Sequence, residues 1–220
     1  MSESNFASEA EGTRSQGDKE SLREVLDFLV TQEQLGVTLV SAWIENAPGT
    51  PSEAFLPVLR NGVTQEYLHL EAVREAGGNP STTKYWLPDA ALDNGGIGVF
   101  ETLEAIETIE VSLYLIGVSA YARRDDDFGA RLCAEAMGTE AVHRALARFA
   151  QGELGKEIGP PNDGGFENFD WPTLAAVREA LEALGIGYGV ETSQPGSFYE
   201  YPGDPLANGV GTPVNHMQPA

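Results

Sequence analysis

Two short stretches constrain this chain most, because each places a carboxylate and an imidazole on the apolar side of a predicted helix. They are EYLH at residues 66–69 and EAVH at residues 140–143. Around the first stretch, apolar residues recur at spacings of three and four, and Glu66 and His69 lie on that same stripe. A buried carboxylate is costly unless something pairs with it. The stripe is therefore either exposed to solvent or faces a cation.

Apolar periodicity predicts four long helices and no strand. They cover residues 19–46, 52–76, about 99–123 and about 127–152, and a short fifth helix begins at about Pro172. The first and second helices, and the third and fourth, are joined by short loops, which make antiparallel neighbours. The Gly- and Pro-rich segment 77–98 separates the second helix from the third. This arrangement predicts an all-α four-helix bundle with one long crossover, plus a short C-terminal helix.

The two ends of the chain lack this periodicity. Residues 1–18 are small and polar and are predicted to be a disordered tail. The bundle with its fifth helix is expected over residues 19–186, and residues 187–220 are expected to be extended or disordered.

Charge and composition exclude several classes of partner. The chain has 34 acidic and 13 basic residues and a formal charge of −21, whereas nucleic acids and anionic membranes attract basic patches. No signal-peptide pattern and no membrane-length apolar run are visible. The single cysteine, Cys133, allows no intramolecular disulfide. We expect a soluble, cytoplasmic protein, and a homodimer is left open as its assembly.

The inward stripes of the first and third predicted helices also carry carboxylates. Glu33 lies on the first, and Glu107 and Glu110 lie on the third together with Tyr114. The separations from residue 33 to 66 and from 107 to 140 are both 33 residues, as if one helical hairpin had been repeated.

These residue types in this pattern predict a site for two metal ions. Glu and His at positions i and i+3 project from one face of a helix. Two such pairs with two further carboxylates can hold two divalent iron or manganese ions, and open coordination positions would admit dioxygen or hydrogen peroxide. Without metal, the carboxylates would repel one another and some would take up protons.

Several segments resemble the ferritin-like superfamily, and most closely its ferritin-like domain family that includes desiccation-associated proteins. These are LVTQEQLGVTLV, IETIEVSLYLIG, EAMGTEAVHRALAR, the crossover AGGNPSTTKYWLPD and the terminal FDWPTLAAVREALEALG. The resemblance covers about residues 20–186. Rubrerythrins, bacterioferritins and manganese catalases are more distant relatives. The resemblance implies a dimetal site with the ligands Glu33, Glu66, His69, Glu107, Glu140 and His143.

The ligand from the third helix is open between two residues. Counted in residues from the loop between the third and fourth predicted helices, Glu110 is more nearly level with Glu140 than Glu107 is, and this favours Glu110. The 33-residue repeat and the family-like placement of Tyr114 favour Glu107. We expect Glu107 to be the ligand and Glu110 and Tyr114 to be accessory residues.

Three functions are compatible with this site. The first is a di-iron oxidoreductase of the ferroxidase or peroxidase type, with a role in oxidative or desiccation stress implied by the resemblance. The second is a manganese catalase-like enzyme that dismutates peroxide. The third is a non-catalytic stress or structural protein that has the same helical bundle but catalyses no reaction.

Overall fold

A computed structural model describes residues 20–92 and 96–220, and these are mostly helical with one small sheet. The helices are α1 (Leu22–Asn46), α2 (Leu56–Glu75), α3 (Ile97–Ala122), α4 (Asp127–Glu153) and α5 (Leu174–Ala183). The strands are β1 (Lys84–Pro88), β2 (Gly187–Tyr188) and β3 (Gly196–Glu200). The tail predicted over residues 1–18 lies outside the described part of the chain.

Local capping chemistry sets where the helices begin. Ser21 caps α1 in a reciprocal capping box with Glu24, so α1 begins at Leu22 rather than at residue 19. The side chain of Asp126 accepts a hydrogen bond from the Gly129 amide at the start of α4. Thr173 does the same for the Ala176 amide in α5. The predicted helix boundaries therefore agree with the structure to within a few residues.

Helix α1 is buried on nearly all sides, at 19 of its 25 residues. It packs along α2 and against α3, while α3 packs along α4. Its remaining side is covered by β1 and by the short 3-10 helix Asp89–Leu92, where the Trp43 indole donates a hydrogen bond to the Ala91 carbonyl. The crossover segment therefore forms part of the core instead of being a free loop.

The three-stranded sheet is a feature that the sequence does not predict. Its order is β2-β1-β3 and both pairings are antiparallel, with Tyr85 opposite Tyr188 on one side and Tyr199 on the other. The described residues are mostly helical, as expected, and this small sheet is an addition that the all-α expectation lacks. The strands are only two to five residues long, and the two outer strands, β2 and β3, lie after residue 186 in the chain. Such short, distant pairings leave no periodic signal.

Residues 187–220, for which an extended or disordered tail was expected, include β2 and β3 and pack against the helices. After β3 the chain returns to α2, where Arg60 donates hydrogen bonds to the carbonyls of Gly209 and Val210 at 3.1 and 2.7 Å. The amide of Thr212 donates to the Arg60 carbonyl at 3.1 Å. The last residues thereby reach α4, where the Ala220 amide donates to Glu135.

Among the described residues, α3 alone is long and apolar enough to span a membrane by length and composition. Its most apolar window is 67% buried inside the protein, which is the pattern of a core helix. It also carries Glu107 and Glu110 among its buried residues.

Candidate metal centre

The four long helices bring the six predicted ligands together in the interior. Two groups of side chains each have donor atoms that all lie within 4.8 Å of one another. The first group is Glu66, Glu107, Glu140 and His143, and the second is Glu33, His69 and Glu140. Glu140 belongs to both groups. The four carboxylates are almost completely buried, and the His69 side chain is the most accessible at 13% exposure.

The two histidines direct the same ring nitrogen, Nδ1, into the cluster. His69 Nδ1 lies 2.6 Å from Glu140 Oε1 and 3.7 Å from Glu33 Oε2. His143 Nδ1 lies 2.9 Å from Glu140 Oε2, 3.0 Å from Glu66 Oε1 and 3.5 Å from Glu107 Oε1. The two imidazoles therefore approach different oxygens of the same carboxylate.

Residues around the cluster orient the candidate ligands. The Nε2 atom of His143 lies 3.0 Å from Gln65 Oε1. When Nε2–H donates to that oxygen, the Nδ1 lone pair is left free for a metal ion. On the other side, the Tyr114 hydroxyl donates a hydrogen bond to Glu33 Oε1, and its ring lies edge-on to that of His69 at 6.1 Å. The pattern of inward residues predicted the position of Tyr114 but gave no signal for Gln65.

A second residue missed from the sequence is Gly36, which makes room for a ligand. A Cβ atom at this position would lie 2.3 Å from Glu66 Oε2. Any larger residue here would have to displace the Glu66 carboxylate from its place in the cluster. Its place on the inward stripe, three residues after Glu33, is the sequence signal that could have revealed it.

Burial and mutual repulsion shift the pKa values of the metal-free cluster. Burial raises the pKa of Glu33 to about 8. Burial, assisted by nearby carboxylates, also raises the pKa values of Glu66 and Glu107. Burial would raise the pKa of Glu140 as well, but His69 and His143 reverse this and hold it below 4.5.

The pKa values of both histidines are raised by the same carboxylates. Burial lowers the pKa of His69, but Glu140 and Glu33 outweigh it and hold the pKa well above 6.5. At His143 the carboxylates, with Glu107 foremost, likewise outweigh burial and raise the pKa. Without metal, protons therefore supply the positive charge that these carboxylates need.

Protons do not satisfy the cluster completely, however. Among the described residues, the buried Oε2 atoms of Glu66 and Glu107 have no hydrogen-bond partner. Glu33 Oε2, both carboxylate oxygens of Glu140 and the Nδ1 atoms of the two histidines meet only other members of the cluster, at 2.6–3.7 Å. Buried polar atoms in native proteins are nearly always paired, so such a concentration needs an explanation. These atoms are the oxygen and imidazole donors that suit iron, manganese or zinc. The arrangement fits metal ions.

Glu110 is close to the cluster but belongs to neither donor group. It is 1% exposed, and neither of its carboxylate oxygens has a hydrogen-bond partner among the described residues. Burial, and after it Glu107, raises the pKa of Glu110 well above 4.5. Of the two α3 carboxylates, Glu107 is therefore the one placed within ligand distance of the other donors.

Two openings reach different members of the cluster. A cavity of about 470 Å³ reaches His69 and Tyr114 and is walled on its outer side by residues 214–220. A narrower cleft of about 90 Å³ reaches Glu66, Glu107 and His143. The cavity is rich in polar side chains, including Gln65, Thr139 and His216, whereas the cleft is lined mainly by aliphatic and aromatic side chains.

Comparisons with protein-family models, with curated proteins and with solved structures found no match to this chain.

Proposed function

We propose that this protein is a ferritin-like dimetal-carboxylate protein that binds two iron ions and reacts with hydrogen peroxide or dioxygen. The observation that carries the proposal is the pair of donor groups that share Glu140. Four carboxylates contribute four negative charges when ionised, which two divalent cations would neutralise. In the metal-free cluster, burial and the neighbouring carboxylates raise the pKa of Glu110.

In this proposal each ligand has a distinct position. Glu140 would contribute to holding both ions, because it belongs to both donor groups and its two oxygens lie near different histidines. His69 and His143 bind through Nδ1, and Glu33 and Glu107 each complete one of the two groups. Glu66 would help to hold the ion of the group that also contains Glu107 and His143, and its Oε2 has no hydrogen-bond partner among the described residues.

When bound, two ferrous ions supply two electrons, one each, which with two protons convert hydrogen peroxide to two water molecules or dioxygen to hydrogen peroxide. The chain's own residues prepare the site for this chemistry. Gln65 fixes the ring of His143, and Tyr114 fixes Glu33 through its hydroxyl. Glu110 lies beside the cluster, and its carboxyl group has no hydrogen-bond partner among the described residues.

The same donor set accepts manganese, which would favour peroxide dismutation, and it could hold zinc without redox chemistry. The resemblance to the ferritin-like domain family further supports a role in oxidative or desiccation stress. These alternatives differ in the metal and not in the ligands, so the identity of the metal separates them.

The test is the metal content of protein purified from its native source, compared with recombinant Glu66→Gln and Glu75→Gln variants loaded with ferrous iron without oxygen. Both residues lie on α2, but Glu66 is buried in the cluster and Glu75 is exposed. We expect about two iron ions per chain in the native protein and in Glu75→Gln, with a clear loss in Glu66→Gln. Peroxide and dioxygen consumption by the loaded protein would then be measured.

Two manganese ions in the native protein would replace the iron proposal with the catalase-like function. A folded wild-type protein that contains no metal and takes up no iron would contradict both. The cluster would then serve only the structure of the helical core.

A further inference from the structure

The narrow cleft is built almost entirely from apolar side chains. Residues of α2 and α4 form its sides, and Phe100 and Leu103 of α3 contribute to its lining. Phe55 also lines it and contacts Phe100 edge-on, with ring centroids 5.0 Å apart. At the surface, Val58, Leu146 and Phe149 are 38–47% exposed. An apolar path therefore begins at the surface of the protein.

The inner end of this cleft is chemically different from its walls. Glu66, Glu107 and His143 contribute to its lining, and they are three of the four members of one donor group. The wider cavity reaches the cluster at His69, which belongs to the other group. The two donor groups are therefore approached by two openings of different character: the cavity has a mixed polar and apolar lining, whereas the cleft is almost entirely apolar.

The apolar lining selects among the oxidants. A water molecule inside a protein needs two to four polar partners, and hydrogen peroxide forms hydrogen bonds in the same way. Along the cleft walls such partners are lacking among the described residues until the inner end is reached. Dioxygen is apolar and needs none. A volume of about 90 Å³ is ample for a diatomic molecule.

We propose that this cleft binds dioxygen and conducts it to the Glu66, Glu107 and His143 side of the metal pair, while peroxide and other polar reactants use the cavity at His69. This inference rests on the proposed function, because it assigns a route for one of its two oxidants. It predicts that the two oxidants can be separated by a mutation in the cleft.

Two glycines offer a matched pair of variants. Gly62 lies on α2 in the cleft lining, and Gly138 lies exposed on α4, outside that lining. A Cβ atom at either position would meet nothing within 4 Å. Replacing either glycine with leucine raises helix propensity similarly, so both variants should fold. Only Gly62→Leu places a large side chain at the cleft.

Xenon is the first probe, because it occupies apolar cavities and needs no metal. Crystals of the wild-type protein, metal-free and iron-loaded, would be pressurised with xenon. We expect a xenon atom in the cleft of the wild type and of Gly138→Leu, and none there in Gly62→Leu. Absence of xenon from the wild-type cleft would overturn the proposal, including when a second copy of the chain is found covering the cleft.

The second readout is the rate at which each oxidant oxidises the ferrous protein. In Gly62→Leu we expect oxidation by dioxygen to slow about tenfold while oxidation by peroxide changes less than about twofold. Equal slowing of both reactions, or of neither, would overturn the proposed route. Failure to bind iron is detected beforehand by metal content, and it would overturn the proposed function itself.

Discussion

The Nδ1 atom of His69 lies 2.6 Å from Oε1 of Glu140, so the histidine of α2 contacts the carboxylate of α4. The exchange is reciprocal, because Nδ1 of His143 on α4 lies 3.0 Å from Oε1 of Glu66 on α2. Each Glu-x-x-His pair therefore divides its interactions between helices. This crossing joins α2 and α4 through the cluster itself, and it makes the two donor groups depend on each other.

The shared position of Glu140 predicts unequal effects of ligand substitutions. Glu140→Gln should abolish the binding of both ions, whereas Glu33→Gln should leave the group formed by Glu66, Glu107, Glu140 and His143 able to hold about one ion per chain. Metal content after anaerobic loading measures both. Glu153→Gln, an exposed change on α4, should retain the wild-type amount. Equal losses in Glu33→Gln and Glu140→Gln would contradict the two-group arrangement.

The close approach of Gly36 and Glu66 predicts that even an alanine at position 36 displaces the Glu66 carboxylate. In Gly36→Ala the new Cβ would lie 2.3 Å from Glu66 Oε2, so Glu66 must move. We expect a loss of about 1–3 kcal/mol in the free energy of unfolding, together with weaker metal binding. Gly138→Ala, which adds its Cβ in open space, should instead gain up to about 1 kcal/mol. Urea unfolding curves compare the two variants, and equal stability would refute the constraint.

The hydroxyl of Tyr114 should contribute to stability through Glu33. Tyr114→Phe removes the donor to Glu33 Oε1 and leaves a buried carboxylate oxygen unpaired. We expect a loss of about 1–3 kcal/mol in the free energy of unfolding, measured by urea titration. Tyr121→Phe is the control, because the Tyr121 hydroxyl makes no hydrogen bond to the described residues. A similar loss in both variants would indicate a packing effect instead.

The pKa shifts predict how the stability of the metal-free protein changes with pH. Burial raises the pKa of Glu33 from 4.5 to about 8, and the pKa values of Glu66, Glu107 and Glu110 are also raised. Groups with raised pKa values bind protons more tightly in the folded state. Their stabilising effect is present below their unfolded pKa and is lost as the pH rises through the folded value.

The histidine shifts act in the same direction, and Glu140, whose pKa is lowered, loses its contribution only in strong acid. We therefore expect the free energy of unfolding in chelator to fall between about pH 5 and pH 8. Metal ions displace these protons, so the loaded protein should not lose stability over this range. Urea unfolding at both pH values, with chelator and with iron, tests this. A smaller slope is expected for metal-free Glu33→Gln.

The single cysteine should be unreactive in the folded protein. Burial raises the pKa of the Cys133 thiol to about 12, and the residue is fully buried. At pH 8 only about one thiol in ten thousand would be ionised, and the thiolate is the reactive form. A thiol reagent should therefore label Cys133 only after denaturation. Rapid labelling of the native protein would contradict this burial.

The sequence by itself determined which residues share a helix face. Helical geometry repeats every three to four residues, so the stripes that carry Glu33, Glu66, His69, Glu107, Glu140 and His143 can be recognised without knowing the fold. All six side chains lie in the two donor groups of the structure. The spacing of 33 residues also favoured Glu107 over Glu110, in agreement with their distances from the other donors.

Only the tertiary structure decided what these faces meet. The contact of His69 with Glu140, the space that Gly36 leaves for Glu66, and the pairing of β1 with β2 and β3 all join residues far apart in the chain. Such contacts depend on how the helices are rotated and how closely they approach, and these quantities follow from the packing of many side chains at once. Local periodicity fixes a face, but the packing of the whole chain fixes the distances that make it a site.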